Sequence, residues 1–370
     1  MNEVKLPFNA RLAFTLISIL LIIYILRLGH ELIIPLIFAF LVSITLLPVA
    51  NHLEKWRFSR GAAALTVILL FLVILAGITM LLISQMGSFV DDFPHLQAQL
   101  LKSLNGLQGW INVHFHINSH KQMDYLEQAA MGTLGSATSF LSTTVLSVSS
   151  LFIFFIFVML YTFFLLLYRR LLVTFLIRVF KDEHREILED VIIQTRSIIK
   201  GYLTGLMIEM TVVAIVNCTI FWILGIKYAT LLGIMAAIFN IIPYVGIFVA
   251  TILCMLVTLT NSSVPITIQV GLCLLLVHFT DSNILLPRIV GSKVKINALV
   301  TILGVVAGNL IWGIPGMFLA IPIIAILKIV FEHIEYMHPW ALLLGDVTLK
   351  KKKNEVTEVT KDPEPDVASE

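Results

Sequence analysis

Charge is scarce in this chain. Only 13% of its 370 residues are Asp, Glu, Lys or Arg, about half of what a soluble domain carries. Apolar residues make up 58% and the mean hydropathy is +0.97. A soluble fold of this size has no way to hide that much apolar surface. Cysteine is scarce too. Cys218, Cys254 and Cys273 lie in apolar runs with neither zinc spacing nor a disulfide framework, and read as small hydrophobes. The formal net charge of +2 gives no reason to expect a nucleic-acid partner. Phosphate-cradling loops, zinc-protease helices and nucleophile elbows are all missing. That argues against an enzyme, a nucleotide-driven pump and any bound cofactor. His114, His116 and His120 are spaced as a solvated surface rather than a metal site.

What is present is a series of eight apolar runs: 12–28, 32–49, 62–83, 148–168, 203–224, 229–259, 264–277 and 298–330. Runs of about 17–25 residues cross a bilayer as one helix, because only a helix satisfies its own backbone there. The first run follows Lys5 and Arg11 without a small-residue cleavage pattern, so it reads as a membrane helix and not as a signal peptide. The fold class is therefore all-α and polytopic.

The sixth and eighth runs are too long for one ordinary span. As a straight helix, 229–259 would measure roughly 45 Å, against a hydrocarbon core of about 30 Å. Each run carries a break. In the sixth it is Asn240-Ile-Ile-Pro243-Tyr244-Val-Gly246 and in the eighth Trp312-Gly313-Ile-Pro315-Gly316. Proline removes a backbone donor and glycine permits a change of direction. Each run is a kinked helix or two half-helices folded back. Gly304 and Gly308 permit close helix packing.

Charge placement orients the chain, since Lys and Arg collect in cytoplasmic loops. Lys5 and Arg11, then Lys55, Arg57 and Arg60, then Arg169 and Arg170 mark the inner side. Two hairpins would also place Arg288, Lys293 and Lys295 inside, and both termini are cytoplasmic in either scheme. The expected organisation is helices 1–3 in 1–83 and an outer amphipathic helical segment in 84–147. Helix 4 follows in 148–168, then a cytoplasmic helical segment in 169–202. A C-terminal bundle with the two broken segments occupies 203–335, and a disordered tail 350–370.

Few polar groups stand inside the apolar runs, and those are the candidates for ion coupling or transport. Glu209 sits seven residues into the fifth run, where a charge is costly unless it faces a cavity, pairs or takes a proton. His278 and Asp281 close the seventh run, with Asn283 beyond. Asp281 and Arg288 are spaced to pair across a turn. Asn240 and Asn309 precede the two prolines. Broken helices at membrane depth expose backbone groups that only protein or a water-filled cavity can receive.

At these residues the sequence resembles the autoinducer-2 exporter family of PerM-type permeases. The first stretch is 240–246. The second runs from Asp281 through Asn283, Pro287, Arg288 and Gly291 to Asn297. The third is Trp312-Gly-Ile-Pro-Gly316-Met317 with Ala320, Ile321 and Pro322. Arg196, Gly201 and Tyr202 add to it. Ile247 and Ala298 stand where many members have proline, and Pro315 where a small residue is commoner. The resemblance covers about 10–340. It implies an inner-membrane protein that exports a furanosyl-borate signal or exchanges sodium for protons. The expectation is a secondary transporter of a small solute or cation, with sodium or proton as coupling ion. The rivals are a cation/proton antiporter and a non-transporting membrane scaffold. The bilayer is its other partner, and a homo-oligomer is compatible with the sequence.

Overall fold

A computed structural model describes residues 7–81, 83–84, 132, 151–180, 184–242, 245–289 and 296–345. The expected outer segment 84–147 and the tail 350–370 lie outside the described residues, apart from 84 and 132. So do Pro243, Lys293 and Lys295 and the three histidines of 114–120.

The described residues are almost entirely helical. In order they form α1 (Phe8–Leu28), α2 (His30–Lys55), α3 (Arg60–Leu81), α4 (Leu151–Leu167), α5 (Arg169–Val179), α6 (Arg185–Ile223), α7 (Ala229–Phe239), α8 (Val245–Asn261), α9 (Val264–Thr280), α10 (Leu286–Ile289), α11 (Ala298–Glu332) and α12 (His338–Leu344). A π-helical turn, Asp281–Leu285, joins α9 to α10. Six of these elements are long and apolar enough to cross a membrane: α1, α2, α3, α6, α9 with its π turn, and α11. The pair α4 and α5, bent by 69°, would make a seventh. Side chains behave as a hydrocarbon solvent requires. Thr45, Thr162, Thr211 and Thr219 each donate to the carbonyl four residues back, at 2.7–3.1 Å, so these four hydroxyls need no water.

The sixth apolar run is two helices. Eleven-residue α7 is about 16 Å long, half of a hydrocarbon core. It folds back along α6 through a short link in which Gly225 takes φ 70°, and α8 packs against it in turn. The break comes where the sequence puts Pro243 and Gly246. A Cβ on Gly246 would overlap the Phe239 carbonyl, so only glycine lets the two helix ends meet.

The eighth run, α11, doubles back on itself. Gly313 has φ 64° and ψ −142°, a conformation open essentially to glycine alone. Residues eight apart in a straight helix are about 12 Å apart. Yet a Cβ added to Gly308 would overlap the carbonyl of Gly316, and one on Gly316 would overlap that of Gly308. Further out, Gly304 faces Ile324 and Ala320. The run is thus a helical hairpin with glycines along its seam. Its base is closed by a backbone bond from Asn297 N to Leu344 O of 3.0 Å. The Trp312 indole, beside the tip, donates to Leu26 O of α1 at 2.9 Å.

Three apolar clusters hold the bundle. One joins the ends of α2, α3 and α4 through Leu47, Ala50, Ala64, Val67 and Leu166. A second packs α2 against α6 and the hairpin through Ile34, Leu41, Ile44, Ile199 and Leu319. The third joins the far end of α6 to α7, α8 and α9 through Phe221, Leu232, Cys254, Val270 and Leu274. Helix α6 therefore belongs to two bodies, one at each end.

Candidate functional site

The face α6 turns inward is written at helical spacing: Ile199, Tyr202, Gly205, Glu209, Val213, Asn217 and Phe221 are its buried residues. Steps of three and four residues keep one face of a helix in register. Glu209 belongs to that face and is only 4% exposed. It stands between the two bodies that α6 connects.

Two hairpin registers bring partners to it. Along the α6–α7 seam, Gly233 lies against Cys218, where a Cβ would come within 2.5 Å of its Sγ. Seven residues further along α7 is Asn240, and seven back along α6 is Thr211, so the antiparallel pairing carries Asn240 to the level of Glu209. Along the α8–α9 seam, Gly271 lies under Met255. Ten residues further along α9 is Asp281, which that register returns to the break between α7 and α8. Asp281 opens the π turn, a distortion frequent at functional sites.

The result is a carboxyl–amide–carboxyl cluster. Asn240 Nδ2 donates to Asp281 Oδ2 at 2.8 Å and lies 3.4 Å from Glu209 Oε1. Asp281 is also 4% exposed. The second oxygen of each acid, Glu209 Oε2 and Asp281 Oδ1, is buried with no hydrogen-bond partner among the described residues. Two acids thus share one neutral donor away from water, and neither touches a cation among the described residues. Like charges in that setting stay together only when a proton or a cation compensates them.

Other sequence candidates lie elsewhere. His278 is half-buried one turn before Asp281. Its Nε2 is 3.4 Å from Ser282 Oγ and its Nδ1 is buried with no partner among the described residues. Asn283 is exposed and donates to Phe279 O at 2.7 Å, a local helix contact. Asn309 is exposed on the first arm of the α11 hairpin, so it does not join the cluster. The expected Asp281–Arg288 pair is not formed. Asp281 turns inward to Asn240, while Arg288 is exposed on α10 beyond the π turn. Of the break residues, Gly246 and Gly316 are buried, and Gly313 and Pro315 lie at the hairpin tip.

Sequence reasoning missed Asn217 and Thr251. Asn217 is 3% exposed on the same stripe as Glu209, and that two-turn spacing is a signal the sequence offered. Thr251 Oγ1 is buried without a partner, and an isolated threonine in an apolar run gives no such signal. Among the described residues no three metal-ligating side chains converge.

A family model described as AI-2E family transporter matches residues 14–336. The chain belongs to the AI-2E transporter family. It is 25% identical over 330 residues to the AI-2 transport protein TqsA of Escherichia coli (strain K12), covering 87% of this chain and 91% of TqsA. With YhhT of the same strain it shares 22% over 339 residues, 89% and 93% of the two chains. YrrI of Bacillus subtilis (strain 168) is 33% identical, but over 132 residues, 36% of this chain and 37% of YrrI. This AI-2E family member is therefore a polytopic membrane protein of a transporter class, not of an enzyme class. The match contains α6 to α11 in full, and with them every residue of the carboxyl cluster.

Proposed function

We propose that this protein is an inner-membrane secondary transporter that moves a small solute, with Glu209, Asn240 and Asp281 as its ion-coupling centre. The observation that carries this reading is the pair of buried acids bridged by one amide, each with an oxygen left over. A proton shared between the acids, or a small cation on the free oxygens, removes their repulsion. Loss of that ion restores it, and separation of the two acids relieves it. Glu209 is on α6 and Asp281 at the end of α9, so separation means movement of the π-turn end of α9 away from α6. That is how an ion gradient would drive an alternating site.

The same chemistry supports a second reading, exchange of sodium or another small cation for protons, in which the coupling centre is the whole cargo site. For solute identity the support is similarity alone. TqsA is named for transport of AI-2, and a small neutral solute suits a pathway with few fixed charges. In the bilayer, the reading has both termini cytoplasmic. The α7–α8 pair and the α11 hairpin each enter and leave by one face, making eight segments with the sixth and eighth re-entrant.

The test is flux into sealed proteoliposomes under imposed proton or sodium gradients. Gradient-driven release of a loaded autoinducer-2-type solute, at least tenfold lower in Glu209→Gln and Asp281→Asn, supports the solute transporter. Sodium-driven proton movement without solute supports the exchanger. Silence in both arms overturns transport and favours a scaffold.

A further inference from the structure

One end of the bundle carries a basic surface that the coupling centre does not use. There the end of α2, the start of α3 and the end of α4 converge. Arg169 ties the α4–α5 corner to α2, donating to both oxygens of Glu54 at 2.6 and 2.7 Å and to Asn51 at 3.2 Å. Across 51–60 and 168–180, Glu54 is the one acid, and it is consumed by that bond. Lys55, Arg57, Arg60, Arg170 and Arg178 remain, all exposed. Trp56, at 65% exposure, and Phe58 stand among them.

Helix α5 extends this surface. It leaves α4 at 69°, turning from a spanning direction toward the plane of the bilayer. Its eleven residues divide into three faces. Arg169, Val173 and Ile177 are half-buried toward the bundle. Arg170, Thr174 and Arg178 form one polar stripe at four-residue spacing. Leu171, Leu172, Phe175, Leu176 and Val179 form an exposed apolar face. A helix with a basic stripe beside an apolar face is built to lie in a membrane interface. Its apolar face enters the acyl boundary and its arginines reach the phosphates.

We infer that α5 and the α2–α3 link dock on anionic phospholipid headgroups, which bring negative charge to stretches 51–60 and 168–180, whose one acid is already paired with Arg169. Zwitterionic lipid would satisfy the apolar face but bring no net negative charge to the five cations. Arginine also suits the phosphate diester specifically, through its planar fork.

The experiment uses the full chain with Phe175→Cys carrying an environment-sensitive fluorophore, reconstituted into vesicles. Parent protein labelled in parallel corrects for Cys218 and Cys273. Quenching by brominated phosphatidylglycerol is compared with quenching by brominated phosphatidylcholine. The expected result is preferential quenching by phosphatidylglycerol. The preference should fall by up to about 5-fold for each of Arg170→Gln and Arg178→Gln, while the label stays in the lipid. Equal quenching by the two lipids would overturn the headgroup preference. A label that neither lipid quenches would overturn the docking itself and point to a protein, such as a second copy of the chain, on that face.

Discussion

Asn240 and Asp281 are 41 residues apart in sequence and 2.8 Å apart at their side-chain tips. The first ends an eleven-residue helix and the second opens a π turn, so each stands where a regular α-helix stops. Their bond joins the end of α7 to the end of α9 and leaves Asn240 just within reach of Glu209.

Removing the amide should cost both stability and transport. Asn240→Leu leaves two buried acids with no donor, a loss of about 1–3 kcal/mol for each unsatisfied group. Thermal unfolding in detergent should show a lower midpoint, and proteoliposome flux should fall at least tenfold.

Removing one acid should separate the two properties. Glu209→Gln abolishes a like-charge contact and keeps the shape, so its unfolding midpoint should equal or exceed that of the parent protein. Its flux should collapse, because a site kept at the expense of stability is functional. A destabilised variant with unchanged flux would mark Glu209 as structural.

The hairpin of α11 depends on its tip and its seam. Gly313→Ala forces a side chain into a backbone region costing on the order of 1–3 kcal/mol. Gly308→Val drives bulk into the facing carbonyl, with an overpacking cost of about 1–3 kcal/mol or more. Both should lower the unfolding midpoint. Asn309→Ala, one residue away and exposed, should leave it unchanged.

At the other end of the hairpin, His333 binds α11 to the start of α6. Its Nδ1 lies 2.8 Å from Ile329 O and its Nε2 2.9 Å from Asp190 Oδ2. Both partners accept, so the ring donates twice and is an imidazolium here. Burial lowers its pKa, but the Ile329 carbonyl, Asp190 and Glu332 outweigh that and hold it above the ordinary histidine value. A raised folded value stabilises the protein fully below the unfolded value of about 6.5, and the gain is lost as pH rises through the folded value. The midpoint gap between parent and His333→Gln should therefore be widest below the unfolded value of about 6.5 and close as pH rises past the folded value. A gap independent of pH would refute the charged contact.

Much of this molecule was legible without coordinates. Apolar run length and the cost of an unsatisfied backbone in lipid dictate helices, and they place Glu209 within one. Pro243, Gly246, Gly313 and Pro315 mark where two runs must break, because no other residues so readily interrupt a helix or reverse a chain. Sequence alone did not separate a kink from a reversal. The contact between Gly308 and Gly316 did, because it requires the two arms to lie side by side.

The coupling centre needed the tertiary structure. Glu209, Asn240 and Asp281 were visible as isolated polar groups in apolar surroundings, but nothing in their spacing says that they meet. Two antiparallel seams, set by Gly233 under Cys218 and Gly271 under Met255, decide it. The same geometry turned Asp281 away from Arg288, since a buried acid at a helix break takes the nearest inward donor. Sequence by itself determined the membrane, the helices and the breaks, because lipid imposes those residue by residue. Which polar groups share the interior was decided by helix register, a property of pairs of elements that no single run contains.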